Sequence, residues 1–282
     1  MARETATIEA VSFSRLEVYE TCPRRAQLQY CKKIPEKPRG EPHKRCPKNE
    51  VTGEYEWHND RGTRLHEGMD KYIRGIKASY DPELKCLDVE MTNTRAAYEQ
   101  GLVQTEQMWC YKGDWEPTAW NDWDNINMRV KTDIFQVTEG TMKEPIEAVV
   151  VDLKSGKIFG NEGKHAQQLQ LYALGAFKKY PTLDKVYVEV WYCDHDKIKT
   201  VEYTRLQSLK FQPDWDDRFE TAKADVIFET RASDNNCKWC PYKAEEDGGT
   251  GHCEDAYRYS NPVAVTPDEP TKAKAGSRSR AG

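Results

Sequence analysis

The densest chemical signal in the chain is an acid and a base at the end of an apolar run. Residues Ala148–Val151 are apolar and mostly β-branched, the pattern of a buried strand, and Asp152, Leu153 and Lys154 follow at once. Residues two apart on a strand share a face, so the carboxylate and the ammonium project together. Burying both is costly unless a metal or a phosphate uses their charges. Upstream, the alternating segment Arg129–Val137 contains Asp133, and Gly140 marks a turn between the two runs. Paired as a hairpin, they bring Asp133 towards Asp152, and two carboxylates in one site repel unless a divalent cation neutralises them. Such a set suits phosphodiester hydrolysis. Asp133 and Asp152 would hold Mg²⁺ or Mn²⁺ against a phosphate oxygen, and Lys154 would orient water or stabilise charge. The bare D-x-K spacing also fits the charged end of an ordinary hairpin.

Other residues could join that site. Gly62 and His66 lie on a helical stretch upstream, with His66 beside the apolar Leu65. Gln168 and Tyr172, one helical turn apart, share a face on the stretch after Lys154. Nine cysteines are an odd number, and no apolar leader segment occupies the first thirty residues. Cys237 and Cys240 form a C-x2-C pair with Cys253 downstream, which in a reducing compartment points to a metal before a disulfide.

These residues need a scaffold of both helices and strands. A helix is expected from a capping box at Ser14 and Glu17, with Phe13 as its hydrophobic staple, running towards Thr21; Pro23 opens the next. Residues 35–59 are rich in Pro, Gly and charge and read as an insertion loop. Leu65, Met69, Tyr72, Ile73 and Ile76 form one stripe of a helix beginning near Asp60, and a further helix is expected over 90–108. Strands are expected at Arg129–Val137 and Ile146–Lys154, a helix at Lys164–Lys179 ended by Pro181, and paired strands at Lys185–Tyr192 and Thr200–Tyr203 about a turn at Asp194. A last helix carries Trp215, Phe219, Ala222 and Val226. The order describes a mixed α/β domain, a small mixed sheet flanked by helices. Its expected limits are an N-terminal arm over 1–11, one domain over 12–260 and a disordered tail over 261–282.

Composition narrows the partners. A net charge of −5 excludes a uniformly basic coat, but residues 15–48 hold ten Lys/Arg against four Asp/Glu, and residues 210–255 hold six against twelve. A local basic surface is enough to hold phosphates. Within it, Arg24, Arg25, Lys32 and Lys33 are expected phosphate contacts, though a solvated face fits them equally. No apolar run approaches the ~20 residues of a membrane span, and a cytoplasmic location is the expectation, the host cytoplasm if the chain is phage-encoded.

From Ser12 to Asp255, the motifs together resemble the PD-(D/E)XK nuclease superfamily, and specifically its RecB-type branch of phage exonucleases, recombination nucleases and CRISPR-associated adaptation nucleases. The resemblance implies a restriction-endonuclease-like core acting on DNA. It assigns His66, Asp133, Asp152 and the carbonyl of Leu153 to metal, Lys154 to catalysis, Gln168 to support of the site and Tyr172 to substrate. It also assigns Cys22, Cys237, Cys240 and Cys253 to a [4Fe-4S] cluster that clamps the two ends of the domain, with Zn²⁺ as the competing metal. The implied function is a metal-dependent DNA exonuclease of phage or prokaryotic recombination and processing. A sequence- or structure-specific endonuclease, or a non-catalytic DNA-binding module with a structural cluster, are the alternatives. The resemblance leaves the Trp-rich stretch 109–123 and any protein partner or homo-oligomer unassigned.

Overall fold

A computed structural model describes residues 4–256; the tail expected over 261–282 lies outside the described residues. The chain enters through a short strand, β1 (Val11–Ser12), directly into helix α1 (Phe13–Thr21). The cap is Ser12, not Ser14: its extended backbone and its Oγ, 3.4 Å from Arg15 N, start the helix at the last strand residue. Phe13 is therefore helical, and it meets Trp215 edge-on instead of acting as a staple. Cys22 ends α1 in an extended conformation, and Pro23 opens α2 (Pro23–Ala26), which runs into a π-helical turn, Gln27–Cys31.

The expected insertion loop is irregular apart from a bridge between Lys48 and Tyr55, and helix α3 (His58–Ile73) begins just before its end. Gly75, at φ +71°, follows the helix end and leaves Ile76 outside the stripe and exposed. The helix expected over 90–108 is corrected by the structure. Helix α4 (Asp88–Glu99) stops before the left-handed Gly101, and Val103–Tyr111 is a strand, β2. Its Val, Thr, Trp and Tyr side chains suit a pleated surface better than a helix. Two-residue β3 (Pro117–Thr118) pairs back on β2, and the long strands β4 (Met128–Gly140) and β5 (Pro145–Lys154) follow as the expected hairpin. Gly140 is required at φ +95°, where a Cβ would lie 2.5 Å from the Glu144 carbonyl. Helix α5 (Glu162–Lys179), strands β6 (Lys185–Tyr192) and β7 (Lys197–Thr204), helix α6 (Arg205–Ala224) and short α7 (Asp234–Lys238) complete the described chain. Val226, expected on the last helix, falls beyond α6 and is exposed.

The fold is the expected mixed α/β one, built on seven strands. The order is β3-β2-β4-β5-β6-β7, antiparallel throughout except for the parallel β5–β6 pair, which α5 connects. β1 runs parallel to β4 at Met128 and Arg129, which β2 also pairs from the other side. It therefore occupies the edge of β4 that β5 takes over from Ile134. One face of the sheet packs Val150, Val188 and Val190 against Leu169, Leu171 and Phe177 of α5 and against Trp215 and Phe219 of α6. The other packs Ile134, Val151 and Leu153 against Leu65 and Met69 of α3 and Met91 of α4. Two cores thus hold two helical layers against one sheet.

A buried ion network fixes α3 to the β6–β7 turn. Arg61 reaches Glu83 at 3.1 Å and grips both oxygens of Asp194, at 2.9 and 2.6 Å. Burial opposes both carboxylates, yet Arg64 and Arg61 at Glu83, and Arg61 at Asp194, outweigh it and hold each below its ordinary range. Depressed folded values stabilise the fold above the ordinary carboxylate range, and that contribution is lost as pH falls through them. We expect the melting temperature of the native chain to drop below about pH 4. Arg61→Ala takes the guanidinium from Asp194 while Arg64 still holds Glu83 at 2.9 Å; it should cost about 1–3 kcal/mol at neutral pH and flatten part of that acid limb, and thermal melts of the two proteins from pH 7 to 3 measure both effects.

Candidate active site

The site forms where strand alternation changes parity. On β4, Met128 and Val130 face the core under α5, and so do Phe135 and Val137, an odd-numbered set; Ile134 faces the opposite core. β2 shifts with it, since Val103 faces α3 and α4 while Trp109 and Tyr111 face α5. The register runs unbroken on either side, Thr105 opposite Ile134 and Gln107 opposite Thr132, so Glu106 and Asp133 stand across from one another at the change. Glu106 absorbs it at φ +52°. Asp133, freed from strict alternation, is buried between the two layers.

Each oxygen of Asp133 has a different partner. Oδ1 lies 3.0 Å from His66 Nδ1 on α3, and Oδ2 accepts the backbone N–H of Leu153 at 2.7 Å. The β4–β5 ladder stops at Ile134 opposite Val151, so this carboxylate takes over the next strand N–H. Burial works against the His66 imidazolium, but Asp133 and Asp152 together outweigh it and raise its pKa. Leu153 is thus a backbone donor to the site.

Asp152 and Lys154 share the face of β5 that looks at α5, as their spacing predicts. Lys154 Nζ lies 2.8 Å from Asp152 Oδ2. That ammonium is the partner of Oδ2, which is otherwise buried without a hydrogen bond. Gln168 donates to Asp152 Oδ1 at 3.2 Å and to the Tyr172 hydroxyl at 2.6 Å, and that hydroxyl donates to the same carboxylate oxygen at 3.4 Å. Burial raises the Asp152 pKa, with Asp133 adding to it and Lys154 opposing. The Lys154 ammonium is itself disfavoured by burial, but Asp152 holds it above its ordinary value. The helix pair Gln168 and Tyr172 is therefore joined to the D-x-K strand by direct contact.

Hard cations prefer oxygen ligands, and an imidazole among them suits Mn²⁺ as well as Mg²⁺. The residues present fit such an ion. His66, Glu106 and Asp133 each offer a ligand atom, all within 4.8 Å of one another. Asp152 adjoins them with a buried oxygen that lacks a hydrogen bond. Glu106 was not foreseen, because its segment reads as helix. It makes a close ion pair with Lys131.

The surface above is a cleft of about 530 Å³ running from Lys154, His165 and Tyr172 past Arg15 and Lys164 to Arg129 and Trp120. Glu17 is the acidic residue on its wall, where it pairs with Lys164. Of the expected phosphate contacts, Arg24 is bonded to Gln27 at 2.5 Å, and neither Arg24, Arg25, Lys32 nor Lys33 lines this cleft.

The four cysteines of the second expected site converge from both ends of the described chain. Cys22 caps α1, Cys237 lies on α7, and Asn236 Nδ2 binds the Thr21 carbonyl at 3.1 Å. Cys240 N–H donates to the Cys237 carbonyl at 3.1 Å and Cys253 N–H to that of Tyr242 at 2.9 Å. Burial pushes the Cys253 thiol up to about 11, with Cys240, Cys22 and Cys237 adding to it. Burial also raises Cys240, with Cys22 and Cys237 adding to it. Sulfurs that disfavour one another's ionisation are a donor set that a metal centre would relieve. Among the described residues no three of them lie within 4.8 Å of one another.

The model of the PD-(D/E)XK nuclease superfamily matches residues 10–244, a span that includes every proposed ligand of the first site and three of the four cysteines. No curated protein matches the chain. Among solved structures, it is similar to the crystal structure of SSO0001, at 14% identity, a TM-score of 0.40 and 86% coverage of each chain, too remote a likeness to bear on the site. Among the described residues no helix is long and apolar enough to cross a membrane.

Proposed function

Since the chain belongs to the PD-(D/E)XK nuclease superfamily, we propose that it is a metal-dependent deoxyribonuclease that works from DNA ends in phage or prokaryotic DNA processing. The observation that carries the reading is Asp152 Oδ2, a buried carboxylate oxygen whose partner is the Lys154 ammonium, beside the His66–Asp133 pair. His66, Asp133, Asp152 and the Leu153 carbonyl would hold Mg²⁺ or Mn²⁺, which when bound supplies Lewis-acid charge to a phosphate oxygen and eases deprotonation of water. The Leu153 N–H fixes one oxygen of Asp133 and Gln168 fixes one of Asp152, which would leave each carboxylate its other oxygen for the ion. Lys154, at the floor of the cleft, places its ammonium at the scissile phosphate once its partner carboxylate is engaged. Tyr172 buttresses Gln168 and lines the same cleft, where it contacts substrate.

A time course on end-labelled linear and covalently closed circular DNA, with Mg²⁺, Mn²⁺ or EDTA, tests this. Loss of mononucleotides or short products from linear DNA alone supports it. Cleavage of the circle makes the enzyme an endonuclease, and activity undiminished in EDTA removes the metal. Lys154→Ala should lower the single-turnover rate about 10²–10³-fold while DNA affinity changes severalfold at most. Weakened binding at an unchanged single-turnover rate would make Lys154 a phosphate anchor.

Cys22, Cys237, Cys240 and Cys253 are proposed to hold a [4Fe-4S] cluster. Four thiolates are the number it requires, and they also suit one tetrahedral Zn²⁺ as the competing centre. Arg24 and Arg25 follow the Cys22–Pro23 step, and DNA contact there remains part of the proposal.

A further inference from the structure

Of the Trp-rich stretch, Trp109 and Trp115 are core residues, whereas Trp120 lines the cleft and Trp123 stands beside it. Arg129, on β4, is held between two indoles, its guanidinium carbon 3.9 Å from the centre of Trp120 and 4.8 Å from that of Trp123. The rings lie 6.5 Å apart at 66°. Their outer surfaces are open: Trp120 is 40% exposed and Trp123 63% exposed. Two large aromatics on the surface are unusual unless something covers them. Here they frame a cation whose Nε is buried without a hydrogen bond. Burial, with the neighbouring Arg15 adding to it, lowers its pKa. Arg129 and Trp120 share one cleft with Lys154, so whatever occupies this end continues into the chemistry.

We infer that Trp120, Trp123 and Arg129 form a nucleobase-stacking site that holds an unpaired stretch of DNA whose backbone leads along the cleft to Lys154. This rests on the nuclease reading and names the form of substrate it takes. Base faces are covered by their neighbours inside a duplex, so exposed indoles select bases that are unpaired. The cleft walls supply the charge complement, since Arg15, Lys131 and Lys164 line it with Glu17 as the acidic residue among them. Stacking is tolerant of base identity, so the site confers strandedness preference and no sequence preference.

The test is anisotropy in EDTA with fluorescein-labelled (dT)16 and with a blunt 16-base-pair duplex, using the full chain. Trp123→Ala should weaken (dT)16 binding about five- to a hundredfold and duplex binding less than twofold. Trp123→Phe, which keeps a π face, should retain most of the single-strand affinity. In a second measurement on the native chain, 2-aminopurine placed along the oligonucleotide should be quenched on binding at one or two positions. Native-like (dT)16 binding by Trp123→Ala, equal losses on both probes, or 2-aminopurine unquenched at every position would each overturn the site. If the native chain cleaves DNA and only these outcomes fail, the stacking site falls and the nuclease stands. If it neither binds nor cleaves DNA, both fall.

Discussion

Asp152→Asn should reduce cleavage by about 10³-fold or more while leaving the melting temperature unchanged or higher. The size follows from what is removed: a ligand charge at a site where electrostatic groups are each worth orders of magnitude in rate. The stability follows from the other side of the balance. Asp152 is buried, and both its burial and Asp133 raise its pKa, so its charged form is held in the fold against its own preference. A neutral side chain of the same shape relieves that opposition and keeps an acceptor for Gln168, which offsets the ion pair that Lys154 loses. Differential scanning fluorimetry beside a Mn²⁺-dependent nuclease assay reads both quantities. A variant that melts well below the native chain would make Asp152 a structural residue, and one that cleaves at the native rate would remove it from the chemistry.

The second large effect belongs to Cys22. It lies more than two hundred residues before Cys237, so a centre holding both closes nearly the whole described chain into one loop. Cross-linking so distant positions restricts the unfolded chain, and metal binding adds to folding directly. Protein purified without oxygen should be brown with about four iron atoms per chain. Cys22→Ala should bleach it and lower the melting temperature by about 10 °C or more, the scale of a 3–5 kcal/mol loss in a domain of this size. Cys86→Ala should do neither, because Cys86 sits apart, its thiol donating to the Cys193 carbonyl. Colourless protein with stoichiometric zinc would replace iron and keep the clamp, whereas full metal content and unchanged melting in Cys22→Ala would remove the clamp.

What the sequence disclosed and what it hid divide along local and non-local lines. Asp152 and Lys154 are two apart on one strand, and Gln168 and Tyr172 are four apart on one helix, so each pair was legible from its own period. The step between them is set by the β5–α5 connection, which a short loop constrains. Glu106 had no such marker. It takes a left-handed conformation without being Gly or Asn, and its meeting with Asp133 depends on strand pairing across more than twenty residues. The polar run around it also continues the period of α4, which is why β2 was read as helix. Arg61 was hidden for a related reason: its partners, Glu83 and Asp194, lie 22 and 133 residues away, and neither distance leaves a periodic trace.

The parity change at Glu106 and Asp133 sets how this gene segment can tolerate copying errors. An exposed position such as Lys131 accepts many substitutions, but a single-codon deletion or insertion between 128 and 137 is a different event. It moves the switch point by one residue, turning Phe135 and Val137 out of one core or Met128 and Val130 out of it, and carries Asp133 away from both His66 and Leu153. Length in this strand is therefore under tighter selection than identity, and lineages descended from this chain should vary it by substitution far more readily than by indel.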